Sequence, residues 1–266
     1  MKMSNAVSHR RILKMMEAHG APLTPEIEIL ESVDSTNTLL KDRAMHGAPH
    51  GKVVIALSQT AGRGRMGRSF YSPEGSGLYI SILLRPEMTA SDALMLTPMT
   101  AVACLRALRA SGCEGAGIKW VNDILISGKK AAGILVEGAP DGCGGISYAV
   151  VGIGINLVSP EGGFPEPIKN IACGAFDGIS GKIDRDRLVS DLLCEFFSFY
   201  SRLPNTEFMK EYRAESCIVG KSVTLTDGEC RYSGIVSDID CGARIVLSCE
   251  DGETRVFGSG EATLKT

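Results

Sequence analysis

A stretch rich in glycine and arginine constrains this chain more than any other part of its sequence. Residues 62–68 hold three glycines and three arginines, and the apolar run 53–57 leads into them through Gln59. Glycine lets backbone N–H groups approach a ligand closely, and arginine offers a permanently charged fork of donors. A buried strand that ends in such a loop therefore predicts a site that binds anions.

The same loop matches the G-x-G-x-x-G pattern of dinucleotide-binding folds between Gly62 and Gly67. That pattern requires a helix directly after it, because the helix N-terminus receives the pyrophosphate. Residues 69–77 are instead rich in turn residues, and no acidic residue stands at the expected distance in a second strand. The sequence thus favours an anion-binding loop over a nucleotide-binding oxidoreductase, and over a loop whose arginines are only solvated.

Charge and cysteine content exclude several classes of protein. A formal net charge of −3 argues against a generally basic surface for nucleic acid. The nine cysteines form no C-x-x-C pair and no Cys/His cluster at zinc spacing, so we expect neither disulfides nor a structural metal, and a reducing cytoplasm fits best. No apolar run resembles an export signal or approaches the ~18 residues of a membrane span. We therefore expect no membrane partner.

Periodicity and turn residues predict a large domain at 26–216, preceded by a short helical segment at 1–25 and followed by a small β-barrel at 217–266. A segment of 25 residues is below the ~50 residues usual for a domain, so we expect no separate DNA-reading module there. The predicted helices cover 8–19, 34–45, 90–109, 184–203 and 206–215, and the predicted strands of the large domain cover 27–33, 53–57, 78–84, 118–126, 129–137 and 150–157.

Polar side chains at strand ends and helix starts are the candidate site residues. Residues 34–37 offer N-cap chemistry for a helix, and contact with a small polar ligand is the alternative role. Asn122 and Asp123 interrupt an apolar strand, where burial would oblige them to find partners, so a site role is favoured over a surface bulge. The Gly- and Pro-rich stretch 158–180 is long enough to close over a ligand, with Phe164 as the candidate contact to a base.

Five motifs occur in the order and spacing of biotin protein ligases, which the chain resembles from residue 27 to residue 264. The motifs lie at 34–37, 59–68, 119–123, 129–134 and 152–156. Two departures are visible: Val121 stands where the family usually has proline, and the N-terminal winged helix of the repressor-type members is absent. The first concerns local strand geometry, and the second implies a ligase without operator binding.

The resemblance implies an α+β fold of the class II aminoacyl-tRNA synthetase-like kind. It consists of a mixed sheet of about seven strands with helices on one side, followed by an SH3-like barrel. It also implies a two-step reaction in which biotin and Mg-ATP give biotinyl-5′-adenylate and pyrophosphate, and the biotinyl group then passes to a lysine. Joining a carboxylate to a polyphosphate brings anions together, so positive charge must be placed where charge develops. The resemblance also implies a biotin carboxyl carrier domain as partner, implies no sequence-specific DNA, and leaves a homodimer open.

The roles that the resemblance implies fall into three groups. The catalytic residues are Lys130, Arg63 and Asp123. The biotin-binding residues are Ser35, Thr36, Asn37, Gln59, Arg63, Gly64, Arg65, Lys130 and Gly133. The ATP-binding residues are Arg65, Arg68, Lys119, Trp120, Asn122, Lys130 and Asn156. No ligands are assigned to the metal. A lipoate-type ligase on the same scaffold and a nucleotide-binding protein without ligase activity remain as alternatives.

Overall fold

The computed structural model describes residues 7–180 and 182–265. Residues 1–6 of the predicted N-terminal segment and residue 266 of the predicted barrel lie outside these ranges. The α-helices in the described part are α1 (His9–Ala18), α2 (Thr36–Met45), α3 (Leu96–Ala110), α4 (Arg185–Tyr200) and α5 (Phe208–Ala214). The strands of the first sheet are β1 (Ile27–Leu30), β2 (Val53–Ala56), β3 (Gly77–Leu84), β4 (Ala116–Lys119), β5 (Asp123–Ile126), β6 (Lys129–Pro140) and β7 (Ile146–Asn156). Those of the second sheet are β8 (Ser222–Asp227), β9 (Cys230–Ile239), β10 (Ile245–Cys249), β11 (Thr254–Phe257) and β12 (Glu261–Leu264).

The first sheet is mixed and has the strand order β1-β2-β3-β7-β6-β5-β4. Only the β1–β2 pair is parallel among the described strands, and the other neighbours are antiparallel. The central strands β2 and β3 are buried along their whole length, as a continuous apolar run predicts. The predicted mixed sheet is therefore confirmed.

The two faces of this sheet carry different helices. Val53 and Ile55 of β2 point into the main core, while Val54 between them points into a second, smaller core. Helix α3 packs on the main-core face, with α4 and α5 against it and α1 against α4. Helix α2 packs on the opposite face over β2, β3 and β7. The expectation that the helices pack on one side of the sheet is thus correct for α1, α3, α4 and α5. Helix α2 lies on the other side, where its Leu40 and Ala44 cover strand residues that point away from the main core, such as Val54.

Side-chain caps fix the starts of two helices where the sequence predicted them. The Ser35 hydroxyl accepts from the Thr38 N–H at 3.4 Å at the start of α2, and Asp184 accepts from the Arg187 N–H at 3.2 Å at the start of α4. Each contact satisfies one of the N–H groups that a helix leaves unpaired at its first turn. Ser35 therefore has a structural role whatever else it binds.

The predicted strand 118–126 is wrong in one respect: it is two strands, β4 and β5, which pair with each other. Ile118 faces Ile124 and Lys119 faces Asp123 across this hairpin. The chain reverses at Trp120–Val121–Asn122, and the Trp120–Val121 peptide is cis. Asn122 is thus part of the turn, and Asp123 is the first residue of β5. This explains why polar residues interrupt an apolar run.

The predicted C-terminal barrel is confirmed as a five-stranded antiparallel sheet of order β11-β10-β9-β8-β12. It shares one apolar core with the first sheet. At the junction the Trp120 indole N–H donates to the Ala243 carbonyl at 2.7 Å, and the Tyr212 hydroxyl donates to the Val121 carbonyl at 3.0 Å. The first bond fixes the β4–β5 turn against the barrel, and the second fixes it against α5.

The segment Asp92–Ala110, which contains α3, is long and apolar enough to cross a membrane by length and composition. In the structure 61% of that window is buried inside the protein, where α3 packs on the sheet. Its hydrophobicity is therefore accounted for by the core. All nine cysteines are free thiols in the structure.

Candidate active site

A cavity opens on the α2 face of the first sheet, between the start of α2, the arginine loop (residues 62–68) and strands β6 and β7. It holds about 440 Å³ of empty space, counting its open mouth. Ten of the predicted site residues line it: Ser35, Thr36, Asn37, Gln59, Arg63, Gly64, Arg65, Asn122, Lys130 and Gly133. These ten residues come from four of the five motifs, and Gly152 and Gly154 of the fifth motif also line the cavity.

One wall of the cavity is a network of short polar side chains. The Gln59 amide oxygen accepts from the Thr36 N–H at 2.9 Å and lies 3.1 Å from the Thr36 hydroxyl. The Ser81 hydroxyl, fully buried in β3, lies 2.8 Å from Thr36 Oγ1 and 2.6 Å from Asn37 Oδ1. Because one hydroxyl has one proton, Ser81 donates to one of them at a time. The wall is thus preorganised before any ligand arrives.

The opposite wall depends on close approach to glycine. A Cβ at Gly154 would lie 2.7 Å from the Phe70 ring, and one at Gly133 would lie 2.8 Å from the Lys130 Cε. Neither distance is compatible with an ordinary side chain, so both strand positions must lack one for Phe70 and Lys130 to lie over the sheet. Lys130 Nζ stands 5.7 Å from the centroid of the Phe70 ring.

The arginine loop forms a tight turn, in which Arg65–Gly67 is a single 3₁₀ turn and Met66 has a left-handed φ of 56°. The loop then returns on itself through a bridge between Arg63 and Ser69. No α-helix follows it before β3, so the geometry of a dinucleotide-binding fold is not formed. The sequence-based rejection of an oxidoreductase is consistent with this loop.

The guanidinium groups of all three arginines in the loop contact side-chain oxygens of other parts of the protein. Arg63 Nη2 lies 3.0 Å from a carboxylate oxygen of Glu137, and Arg65 Nη1 donates to Asn122 Oδ1 at 2.9 Å. Arg68 Nη1 donates to Glu261 of the barrel at 2.8 Å. Three different parts of the protein thus hold the loop in place: β6, the β4–β5 turn and β12.

Replacing Glu261 with Gln should loosen the arginine loop without unfolding the protein. The Arg68 and Glu261 side chains are 63% and 34% exposed, and such pairs contribute ~0–1 kcal/mol, so the melting temperature should change little. The hydrogen bond and the charge of Arg68 hold the pKa of Glu261 below its ordinary value of 4.5. Because the pKa of Glu261 is lower in the folded protein, its contact with Arg68 stabilises the loop at pH values above the ordinary pKa. This stabilisation is lost as the pH falls through the folded-state pKa, so acid should loosen the wild-type loop too.

Hydrogen exchange of residues 63–69 tests this expectation. The matched control is Asp238→Asn, which breaks another exposed contact between the barrel and the large domain, that with Arg213. Faster exchange of the loop in Glu261→Gln alone is the expected result. Equal loop protection in Glu261→Gln and the wild type would contradict the proposed attachment.

Lys130 stands at the centre of the site. Its Nζ lies 2.6 Å from Asp123 Oδ1, and both side chains are partly buried, at 33% and 19% exposure. Its backbone N–H donates to the Ile171 carbonyl at 2.7 Å, and its carbonyl accepts from the Cys173 N–H at 3.0 Å. The long loop 158–180 therefore pins the backbone of Lys130, and Asp123 fixes the direction of its ammonium group.

A second cavity adjoins the first, between the arginine loop, the β4–β5 turn and the barrel. Gly64, Arg65, Phe70, Asn122 and Lys130 line both cavities. Four more predicted residues line only the second: Arg68, Lys119, Trp120 and Asp123. Two ligands held in the two cavities would therefore meet at Lys130 and Arg65.

Three predicted contacts are placed differently from the expectation. Trp120 is only 3% exposed and its indole N–H is bound to the barrel, so its main contact is the domain junction. Asn156 lines neither cavity, and its amide lies behind Lys130, donating to the Lys130 carbonyl at 3.4 Å. Phe164 also lines neither cavity, whereas Phe70 lines both.

Four residues that the sequence did not single out contribute to the site. Phe70 and Tyr79 line the first cavity, and Ser81 and Glu137 hold its lining residues from behind. Phe70 lies only two residues beyond the arginine loop, so an aromatic residue in that turn was a usable signal. Glu137 was visible as a charge at the end of an apolar strand, but its partners were not.

No group of three or more His, Cys, Asp or Glu side chains within residues 7–180 and 182–265 is arranged to hold a metal ion. The oxygen donor of the second cavity beside Lys130 is the Asp123 carboxylate. Such a small set of oxygen donors suits Mg²⁺, which commonly takes one or two protein ligands and completes its shell with phosphates and water. It does not suit an ion held by the protein alone.

Comparisons with known proteins agree with this geometry. The model of the biotin/lipoate A/B protein ligase family matches residues 29–156. The bifunctional ligase/repressor BirA of Bacillus spizizenii is 38% identical over 168 residues, which are 63% of this chain and 51% of that protein. The biotin–[acetyl-CoA-carboxylase] ligase of Mycobacterium tuberculosis is 31% identical over 244 residues, 89% of this chain and 88% of that protein.

A solved structure is similar over almost its full length. The biotin protein ligase from Aquifex aeolicus, in complex with biotin and ATP, superposes with a TM-score of 0.74 at 27% identity, covering 90% of this chain and 98% of that one. The chain therefore spans about half the length of the Bacillus relative, 51%, and most of the other two proteins.

Proposed function

Because the chain belongs to the biotin protein ligase family, we propose that it activates biotin with ATP and transfers the biotinyl group to a lysine of a biotin carboxyl carrier domain. The observation that carries this proposal is the pair of adjoining cavities that share Lys130, Arg65 and Asn122. An acid in the first cavity and a nucleotide in the second would meet beside two cationic side chains.

In the first step, a carboxylate oxygen of biotin attacks the α-phosphorus of ATP, and pyrophosphate leaves with the bonding electrons. Negative charge develops on the oxygens around the phosphorus, where preorganised cations stabilise it most. The Lys130 ammonium and the Arg65 guanidinium are placed for this by Asp123 and Asn122, respectively. The residues themselves form no bond to the substrates in this proposal; they position them and stabilise the developing charge.

In the second step, a neutral lysine amine of the carrier domain attacks the carbonyl carbon of the adenylate. The new amide bond forms, the bond to the phosphate oxygen breaks, AMP leaves, and the amine loses a proton. Asp123 is the candidate to orient the incoming amine or accept that proton, because it is a carboxylate of the second cavity that lies 2.6 Å from Lys130, which lines both cavities.

The biotin ring system would occupy the first cavity. We propose that the polar wall, which contains Ser35, Thr36 and Gln59, recognises its ureido group. Phe70 and the strand glycines would then face the apolar part of the ring. Because both amide hydrogens of Asn37 are directed to Leu135 and Glu137, its role is to hold the wall in place.

We propose that Asp123, a carboxylate of the second cavity, would hold a Mg²⁺ ion that is bound to the phosphates of ATP. When bound, the ion would neutralise part of the polyphosphate charge. A reducing cytoplasmic location is a further proposal, supported by nine free thiols. We also propose domain boundaries at residues 26 and 217. They lie just before the first strand of each sheet, which begins at Ile27 in β1 and at Ser222 in β8.

A pyrophosphate-exchange assay with biotin and with lipoate tests the proposed reaction, because the matching family model covers ligases of both acids. We expect ATP–pyrophosphate exchange with biotin, and an ATP-dependent gain of one biotinyl group on a carrier domain. Exchange with lipoate but not with biotin would show that lipoate, and not biotin, is the substrate of this site. Exchange with neither acid would refute the ligase function.

A further inference from the structure

Glu137 is a charged residue on the cavity face of the first sheet, at the end of an otherwise apolar run in β6. Its side chain is only 18% exposed. A carboxylate that is largely removed from water requires hydrogen-bonding or charged partners. Its partners therefore indicate what it does in this protein.

Those partners come from both sides of the active site. Asn37 Nδ2 and Lys41 Nζ, one turn apart on α2, each donate to the Glu137 carboxylate at 3.0 Å. Arg63 Nη2 of the arginine loop lies 3.0 Å from the same carboxylate. One side chain thus connects α2, β6 and the arginine loop.

Through these contacts Glu137 reaches groups that line the biotin cavity. Asn37 lines that cavity and is linked through Ser81 to Thr36 and Gln59, so the orientation of its amide determines which way the polar wall donates. Arg63 also lines the cavity, and its side chain, which is 47% exposed, has Glu137 as an ion-pair partner. Glu137 itself is not among the lining residues.

Charge gives the carboxylate a second effect. Two cations, Lys41 and Arg63, surround one anion, so the cluster keeps a net positive charge next to a cavity proposed to take a carboxylic acid. Burial acts to raise the pKa of Glu137, but hydrogen bonds from Asn37 and Lys41 and the charges of Lys41 and Arg63 outweigh burial and lower the pKa. The group is therefore ionised near neutral pH.

We propose that Glu137 is a positioning residue for biotin, which holds Arg63 and, through Asn37, the polar wall in the orientation that binds biotin. The inference rests on the proposed function, since it assigns biotin to the first cavity. It differs from a purely structural role, in which Glu137 would only fasten α2 to the sheet. A second carboxylate, Glu28 of β1, performs that fastening role through Arg43 of α2, with a bond of 2.8 Å.

Glu28 therefore provides a matched control, because it is a similarly buried partner of α2, at 29% side-chain exposure, and lies outside both cavities. The variants Glu137→Gln and Glu28→Gln each remove one charge with almost no change in shape. Both are expected to lower the melting temperature slightly. The Michaelis constant does not depend on how much of the enzyme is folded, so it reports on the site itself.

The experiment measures biotin-dependent ATP–pyrophosphate exchange in the wild type, Glu137→Gln and Glu28→Gln, varying biotin and ATP separately. We expect Glu137→Gln to raise the KM for biotin about tenfold or more while the KM for ATP and kcat change less than about twofold. Glu28→Gln should leave both constants near the wild-type values. A biotin KM in Glu137→Gln equal to that of Glu28→Gln would overturn the inference while leaving the ligase function intact. A wild type without exchange would refute the ligase function and the inference with it.

Discussion

Replacing Lys130 with alanine should slow adenylate formation about 10²–10³-fold, because removing one preorganised group that stabilises transition-state charge typically costs ~3–4 kcal/mol. Lys130 lies in both cavities and its ammonium is fixed 2.6 Å from Asp123, so its position is set before the substrates bind. The fold should survive, since the side chain is partly exposed and belongs to no apolar core. ATP–pyrophosphate exchange measures the effect.

Lys129→Ala is the matched control, because Lys129 is the exposed neighbour on the same strand. It should exchange pyrophosphate at nearly the wild-type rate. Adding preformed biotinyl-adenylate bypasses the first step, so Lys130→Ala should then modify a carrier domain far better than it does with biotin and ATP. Near-normal exchange in Lys130→Ala, together with a loss in Lys129→Ala, would transfer the role to Lys129.

Replacing Arg65 with glycine should release the reactive intermediate before the carrier lysine arrives. The guanidinium bonds Asn122 Oδ1 at 2.9 Å and lies 3.5 Å from the Gly260 carbonyl, so it links the arginine loop to the β4–β5 turn and to the barrel. Charge-assisted bonds of this kind contribute ~1.5–3 kcal/mol, which corresponds to roughly ten- to a hundredfold faster release of the adenylate. The released mixed anhydride would acylate any exposed lysine nearby.

The test mixes each enzyme with biotin, ATP and an unrelated lysine-rich protein and then detects biotin on that protein. Arg65→Ala serves as a second variant, because it removes the guanidinium without adding the backbone freedom of glycine. Labelling of the unrelated protein by both variants, but not by the wild type, is the expected result. Negligible labelling by all three, with carrier modification intact, would show that Arg65 does not contain the intermediate.

The local parts of the fold follow from the sequence because their causes are local. Ser35 and Asp184 cap the helices that their positions predict, and the apolar run of β2 is buried on both faces. The side of the sheet that α2 covers was not predictable, because it depends on which alternate residues of β2, β3 and β7 remain free after α3 has packed. The break between β4 and β5 was also missed, because contacts with the barrel and the arginine loop set that turn.

The site could be predicted where the residue types of a local motif indicate what it binds, as in the arginine loop and at Lys130. It could not be predicted where a residue acts through partners far away in the chain. Glu137 is linked to Asn37 and Lys41, about a hundred residues earlier, and nothing near it in the sequence shows that it needs them. Asn156 was recognised as a polar strand end, but only the fold shows that it faces the backbone of Lys130.

The attachment of the arginine loop to the last strand has a consequence for how the enzyme is made. Glu261 lies 193 residues after Arg68, and Gly260 lies 195 residues after Arg65, so the barrel contacts of the loop come from a much later part of the chain. The barrel also shares its apolar core with the first sheet. During translation the large domain emerges first, and domains generally fold in order of synthesis. A nascent chain therefore exposes Lys130 and the arginine loop before the strand that holds the loop exists. We expect such a chain to lack containment of the adenylate until β12 has been synthesised and the barrel has folded, so that products truncated before β12 would biotinylate neighbouring proteins.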